Sequence, residues 1–130
     1  MDRATIQVAL ALPVHAGRYL AGRRLGDPAL EGCWEFPGGK IRDGEPAATA
    51  ACRELREETG LAAENPDLVC VIRHRYADRD VELHCFRFRS WSGEVGGEPD
   101  RDWTWFSLAE LTRLPMPEAN RGILAELGRE

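Results

Sequence analysis

The sequence predicts an α/β or α+β domain in which helices pack on a mixed sheet. Three observations carry that prediction. Residues 5–14 form a short apolar run rich in Val, Ala, Leu and Ile, as expected of a strand covered on both faces. Residues 46–59 carry their apolar side chains at helical rather than alternating spacing. The stretches follow one another as strand, strand, strand, helix, hairpin, strand, helix, helix, an order that suits a sheet with helices laid against it.

Each element has its own local signal. Pro13 bounds the first strand, and Gly17-Arg18 turns the chain into Tyr19-Leu20-Ala21, which runs out through Gly22-Arg23-Arg24. Cys33-Trp34-Glu35-Phe36-Pro37 reads as a third short strand that leads into a Gly38-Gly39 turn, with both aromatics on one side of Glu35. Asp43-Gly44 is a turn dipeptide, Glu45 places an acid at a helix N-terminus, Pro46 suits the first helical position, and Gly60 suits the stop. Residues 68–76 and 81–91 read as an antiparallel hairpin across the polar link Ala77-Asp78-Arg79-Asp80. After a flexible acidic loop, residues 103–106 give another strand, and Ser107 with Glu110 forms the capping-box pattern of a short helix over 107–114. Pro115-Met116-Pro117 breaks the chain before a last helix that begins at Glu118 and turns Ile123, Leu124 and Leu127 inward.

At 130 residues with 43% hydrophobic content, residues 1–130 are expected to form one domain that buries its own core. A formal charge of −5 and a pI near 5.3 argue against a nucleic-acid polymer as partner, because binding a phosphate backbone needs a basic surface. A free nucleotide stays open if metal supplies the positive charge. Cys33, Cys52, Cys70 and Cys85 lack metal or redox spacing and read as free thiols. No apolar run approaches the ~18 residues of a membrane span, so a cytoplasmic protein without a membrane partner is expected, as a monomer or weak homodimer. His15, His74 and His84 read as turn or strand residues rather than ligands or bases.

The chemistry concentrates on the first helix. Glu54, Glu57 and Glu58 occur at i, i+3 and i+4, which sets three carboxylates on one face. Ala48, Ala51, Cys52 and Leu55 follow another face, so the acids are expected to point away from the core, with Ala47 and Ala50 leaving room beside them. Like charges at this spacing repel by about a few tenths of a kcal/mol per pair, and packing does not call for them. A hard divalent cation does, since Mg²⁺ takes oxygen ligands and shares them with substrate phosphates. Arg53 can pair with Glu57 at i+4 and hold one carboxylate in place.

The wider pattern reads Gly-x5-Glu-x7-Arg-Glu-Leu-x-Glu-Glu-x-Gly-Leu, filled by Gly39, Glu45, Arg53, Glu54, Leu55, Glu57, Glu58, Gly60 and Leu61. It resembles, position for position, the box of the Nudix hydrolases. The resemblance implies an α/β/α sandwich with a central mixed β-sheet. It extends along nearly the whole chain to the MutT-like branch, which hydrolyses oxidised-guanine nucleoside triphosphates, through Trp34 to Ile41, Asp78-Arg79, Ser90 to Glu94, Trp105 to Leu108 and Pro117 to Asn120.

By that resemblance the Gly38 carbonyl, Glu54, Glu57 and Glu58 serve Mg²⁺, or Mn²⁺ in its place. Glu54 is the candidate base, with Arg53 and Glu57 beside it; the alternative makes Glu54 a ligand alone and gives the base role to Glu98 or another acid of that loop. A further acid is expected before Trp105. The spacing there departs by one residue, so Glu98 is chosen with Asp100 and Asp102 as alternatives. Arg24 is expected on phosphate. Glu35, Phe36, Pro37, Gly38, Lys40, Asp78 and Arg79 are expected around the nucleotide, with Asn120 reading the base.

Guanine presents acceptors at O6 and N7, whereas the 8-oxo base carries N7–H. One Asn carboxamide can donate to O6 and accept from N7–H together. Against ordinary guanine its oxygen would face a lone pair, a buried mismatch of roughly 1–3 kcal/mol. Asn120 can alternatively cap the last helix, as an Asn near Pro117 commonly does. The expected reaction is metal-assisted attack of water on a nucleoside triphosphate. Rival readings are a related pyrophosphatase of CTP, other nucleotides or ADP-ribose, and a catalytically silent binding module of the same fold, which would be expected to lack the glutamates.

Overall fold

A computed structural model describes residues 4–24, 32–96 and 101–130. Among these residues the elements follow in chain order: β1 Thr5–His15, β2 Arg18–Arg24, β3 Trp34–Glu35, β4 Gly38–Lys40, α1 Ala47–Thr59, β5 Asp67–Arg75, β6 Asp80–Phe88, β7 Arg101–Ser107, α2 Leu108–Leu111 and α3 Glu118–Leu127. The strands form one mixed sheet in the order β3-β2-β1-β6-β5, with β4 added beside β1 and β7 beside β2. β1 runs parallel to β6 from Thr5 opposite Asp80 to Pro13 opposite Phe88, while the other pairings are antiparallel.

The alternation of β1 sorts the core into two layers. Leu10 and Leu12 point to one face, where they meet Leu83, Cys85, Leu111 and the inner side of α3, including Ile123, Leu124 and Leu127. Ala9 and Ala11 point to the other, against Ala50, Ala51 and Leu55 of α1 and Phe86 and Phe88 of β6. Small residues on both sides of that contact bring α1 close to the sheet, and the helices on opposite faces complete the expected sandwich. Among the described residues no helix is long and apolar enough to cross a membrane.

Several expectations shift on contact with the structure. Gly38-Gly39 is not a turn but part of β4, which pairs with Leu10 to Val8 of β1. A Cβ at Gly38 would lie 2.4 Å from the Ala9 carbonyl oxygen, so close approach of two backbones is what selects glycine there. The first turn uses Ala16 and Gly17, since His15 pairs with Arg18. α1 begins at Ala47 with Pro46 as its cap, and Glu45 does not serve the helix terminus. Gly60 ends the helix with a left-handed φ of 84°, its N–H donating to the Arg56 carbonyl. Ala50 is fully buried against the sheet rather than beside the acids. β6 stops at Phe88, three residues short of the expected end, and the chain then bridges back from Ser92 to Ala62. The capping box at α2 forms, with Ser107 Oγ accepting from Glu110 N at 3.2 Å and Ser107 N donating to Glu110 Oε1 at 2.8 Å.

Candidate active site

β4 is the partition around which the site is built. On one side of it lies a cavity of about 310 Å³. Its floor is the apolar face of β1 and β6, from Ile6, Val8, Leu10, Val81 and Leu83, and Phe36 closes one wall at 3% exposure. Polar groups converge on it from separate elements: Glu35 from β3, Lys40 from β4, Arg79 from the hairpin link, Arg101 from β7 and Asn120 from α3. An apolar pocket with a few convergent polar groups is the usual form of a small-molecule site.

Asn120 is not the cap of α3. Pro117 holds that position without a side-chain bond, and Asn120 enters the first turn with its own N–H donating to the Pro117 carbonyl at 2.9 Å. Its side chain is buried, at 5% residue exposure, and faces the cavity. No hydrogen bond to its carboxamide is found among the described residues. Its polar atoms are not among the fully buried ones left without a partner, so the carboxamide keeps an open edge on the cavity, where an incoming molecule can reach it.

On the other side of β4 stand the acids of α1, and their arrangement differs from the sequence expectation. Glu57 is half exposed, but Glu58 turns inward and is 7% exposed, with Oε2 accepting from the Gly38 N–H at 2.9 Å. Burial pushes the Glu58 carboxyl up to about 8, and the neighbouring Glu54 adds to the rise, while the Gly38 N–H and Arg101 oppose it. Glu54 lies against Gly39, where a Cβ would meet its carboxyl carbon at 2.6 Å. Glu57 faces solvent, so the three acids do not all share one outward face.

Arg53 organises the set. Its guanidinium donates to Glu45 Oε2 at 2.8 Å and Oε1 at 2.9 Å, to Glu54 Oε1 at 2.8 Å, to Glu57 Oε2 at 3.2 Å and to the Lys40 carbonyl at 3.2 Å. The Arg53–Glu57 pair read from the helix spacing is therefore present, within a larger clamp. Arg53, with the Arg42 N–H, holds the Glu45 carboxyl down to about 2. Among the described residues no three His, Cys, Asp or Glu side chains converge into a metal cage. The donor chemistry still fits a hard cation: Glu54 and Glu58 bring carboxyl oxygens together beside a strand with no side chains at Gly38 and Gly39, and Mg²⁺ ordinarily completes its shell with water and phosphate.

Of the residues expected around a nucleotide, Glu35, Phe36, Gly38, Lys40, Arg79 and Asn120 line the cavity. Pro37 and Asp78 do not. Pro37 is fully buried and its carbonyl accepts from Ala11 N at 2.8 Å, so it tethers β4 to β1. Asp78 is 74% exposed and pairs with Arg79 at 2.8 Å. Glu98 and Asp100 lie outside the described residues, as does the Arg24 side chain, while Asp102 pairs with Arg23 at 3.2 Å. Besides the apolar floor, the polar residues Tyr76 and Arg101 line the cavity without having been expected there. Tyr76 packs under the Arg79 guanidinium, 5.0 Å from its ring centroid, and its hydroxyl accepts from Ala119 N at 3.4 Å. Arg101 reaches both Glu35 and Glu58. Neither stood in a recognisable spacing, because each is brought to the cavity by sheet pairing between distant strands.

Comparison with known proteins places this geometry in context. A family model described as the NUDIX domain matches residues 8–126. The 8-oxo-dGTP diphosphatase of Escherichia coli K12 is 35% identical over 107 residues, covering 82% of this chain and 83% of that protein. The CTP pyrophosphohydrolase of the same strain is 29% identical over 92% of this chain and 88% of its own length. The crystal structure of a MutT NUDIX hydrolase from Burkholderia pseudomallei superimposes with a TM-score of 0.84 at 35% identity, covering 95% of this chain and 98% of the other.

Proposed function

The chain belongs to the NUDIX domain family, and from that premise we propose that it is a Mg²⁺-dependent pyrophosphohydrolase that converts 8-oxo-dGTP to 8-oxo-dGMP and pyrophosphate. The observation that carries this reading is the Asn120 carboxamide, without a hydrogen bond from the described residues and open to a cavity separated from the acidic helix by a single strand. The base would lie between Phe36 and Asn120, with Arg79 and Lys40 at the rim. The triphosphate would cross β4 at Gly38-Gly39, where no side chain intervenes.

Glu54, Glu57 and Glu58, with the Gly38 carbonyl and an acid such as Glu98, would hold Mg²⁺ or Mn²⁺. When bound, the cation supplies positive charge to the phosphate oxygens and makes the attacking water more acidic. Glu54 would take the proton from that water, a role supported by Arg53, which holds the carboxylate through Oε1. The water oxygen bonds to the β-phosphorus as the bond to the α–β bridging oxygen breaks, and that oxygen leaves with the nucleoside monophosphate. Glu45 does not touch substrate in this scheme and acts through Arg53. Removing an oxidised triphosphate in this way would keep it from polymerases. The cytoplasm is the compartment we assign, in accord with four cysteines that are all free thiols.

Asn120→Ala tests the base reading. It should cut the ratio of kcat/KM for 8-oxo-dGTP over dGTP by roughly tenfold or more, as loss of a buried paired amide predicts. An equal loss on both nucleotides would show that Asn120 does not read the base. The likeness to a CTP pyrophosphohydrolase supports a second reading, in which the same acids act on a pyrimidine triphosphate.

A further inference from the structure

Arg101 stands where the two halves of the site meet. Its Nη1 donates to Glu35 Oε2 at 3.2 Å on the cavity side, and its Nη2 lies 3.6 Å from Glu58 Oε1 on the acidic side. The guanidinium sits over the Trp103 ring, 5.6 Å from its centroid, which limits its swing. The side chains of Arg101 and Glu58 are each 9% exposed and that of Glu35 is 21% exposed, so these charges meet with little water between them. A buried carboxyl ionises only against a counter-charge, and Glu58 has Arg101 beside one oxygen and the Gly38 N–H on the other.

We infer that Arg101 is an internal counter-cation for Glu58 that a divalent metal ion must displace, so that Arg101 and Glu35 together set the affinity for metal. The inference rests on the reading of Glu58 as a metal ligand. One guanidinium shared by two acids makes them competitors for it. The Arg101–Glu35 hydrogen bond is the shorter contact, so Glu35 draws the cation off Glu58 and frees that carboxylate for metal. Arg101 is thus a positioning residue, and the two partners act on metal affinity with opposite sign.

The test is Mn²⁺ binding to the nucleotide-free protein at fixed ionic strength, followed by titration calorimetry. Glu58→Gln checks the premise: if it binds Mn²⁺ as tightly as wild type, Glu58 is no ligand and the inference falls with that reading. With the premise intact, Arg101→Gln should tighten Mn²⁺ binding and Glu35→Gln should weaken it, each by roughly fivefold. In the Arg101→Gln background, Glu35→Gln should have no further effect, because the guanidinium through which it acts is gone. An unchanged or weaker Kd in Arg101→Gln overturns the inference. So does an equal weakening by Glu35→Gln in both backgrounds, which would be the ordinary field of one lost negative charge. Should Arg101→Gln lose its far-ultraviolet circular dichroism, Glu35→Gln alone decides, and an unchanged Kd in it overturns the inference.

Discussion

The backbone N–H of Gly38 donates to Oε2 of Glu58 at 2.9 Å, so the strand that walls the cavity also fixes the innermost acid of the helix. The two glycines of that strand should therefore fail differently. At Gly38 an added methyl meets the Ala9 carbonyl oxygen at 2.4 Å, a backbone atom in a paired strand that cannot give way. At Gly39 it meets the Glu54 carboxylate, the movable end of a side chain. Gly38→Ala should lower Tm by several degrees, whereas Gly39→Ala should leave Tm close to wild type and lower kcat by displacing Glu54. Thermal melts alongside steady-state rates separate the two.

Neutralising the acids should stop the reaction without unfolding the chain. Glu54→Gln and Glu57→Gln should each lower kcat by roughly a hundredfold or more, since each contributes to charge stabilisation worth several kcal/mol. Glu57 is half exposed and Glu54 lies in a polar clamp, so circular dichroism should stay native. Near-normal turnover in both variants would remove the metal reading.

Acid stability should report on the Glu45–Arg53 clamp. The Glu45 carboxyl falls from 4.5 to about 2 on folding because Arg53 hydrogen-bonds to it, with the Arg42 N–H adding to the effect. A depressed folded-state value means that the stabilisation is fully present above pH 4.5 and is lost as pH falls towards about 2. Glu45→Gln should lower Tm at neutral pH and show a flatter fall than wild type across that window. Parallel Tm profiles for the two proteins would count against the clamp.

The rim of the cavity gives a contrast between neighbours. Arg79 lines it and packs on Tyr76, whereas Asp78 is exposed and, among the described residues, pairs with Arg79 alone. Arg79→Ala should raise KM by roughly tenfold or more, as loss of a hydrogen bond to a charged group, worth about 1.5–3 kcal/mol, predicts. Asp78→Ala should change KM by about fivefold at most, because an exposed ion pair is worth roughly 0–1 kcal/mol. Substrate titrations on the two variants check the difference.

The acidic helix, its glycine stop, the hairpin and the first strand, covered on both faces, were legible in the sequence, because each follows from local periodicity, an apolar run or a local backbone demand. Phe36 and Asn120 could be placed near the cavity for a different reason, through resemblance along the chain. What the sequence left hidden depends on contacts between distant segments. Glu58 looked like an outward acid since helical spacing alone cannot say which flank β4 will cover. Gly38-Gly39 looked like a turn because the close backbone of β1 is invisible until the sheet forms. Glu45 suggested a helix terminus, yet Arg53 reaches back eight residues to take it. Arg101 carried no signal, since its two acids come from β3 and α1.

The most direct measurement is pyrophosphate release with Mg²⁺ across 8-oxo-dGTP, dGTP, CTP, dCTP and ADP-ribose under one set of conditions. The account predicts the highest kcat/KM for 8-oxo-dGTP, with the nucleoside monophosphate as co-product and a margin over dGTP of roughly tenfold or more. A preference for CTP or dCTP, or cleavage of 8-oxo-dGTP to the diphosphate and inorganic phosphate, would contradict it.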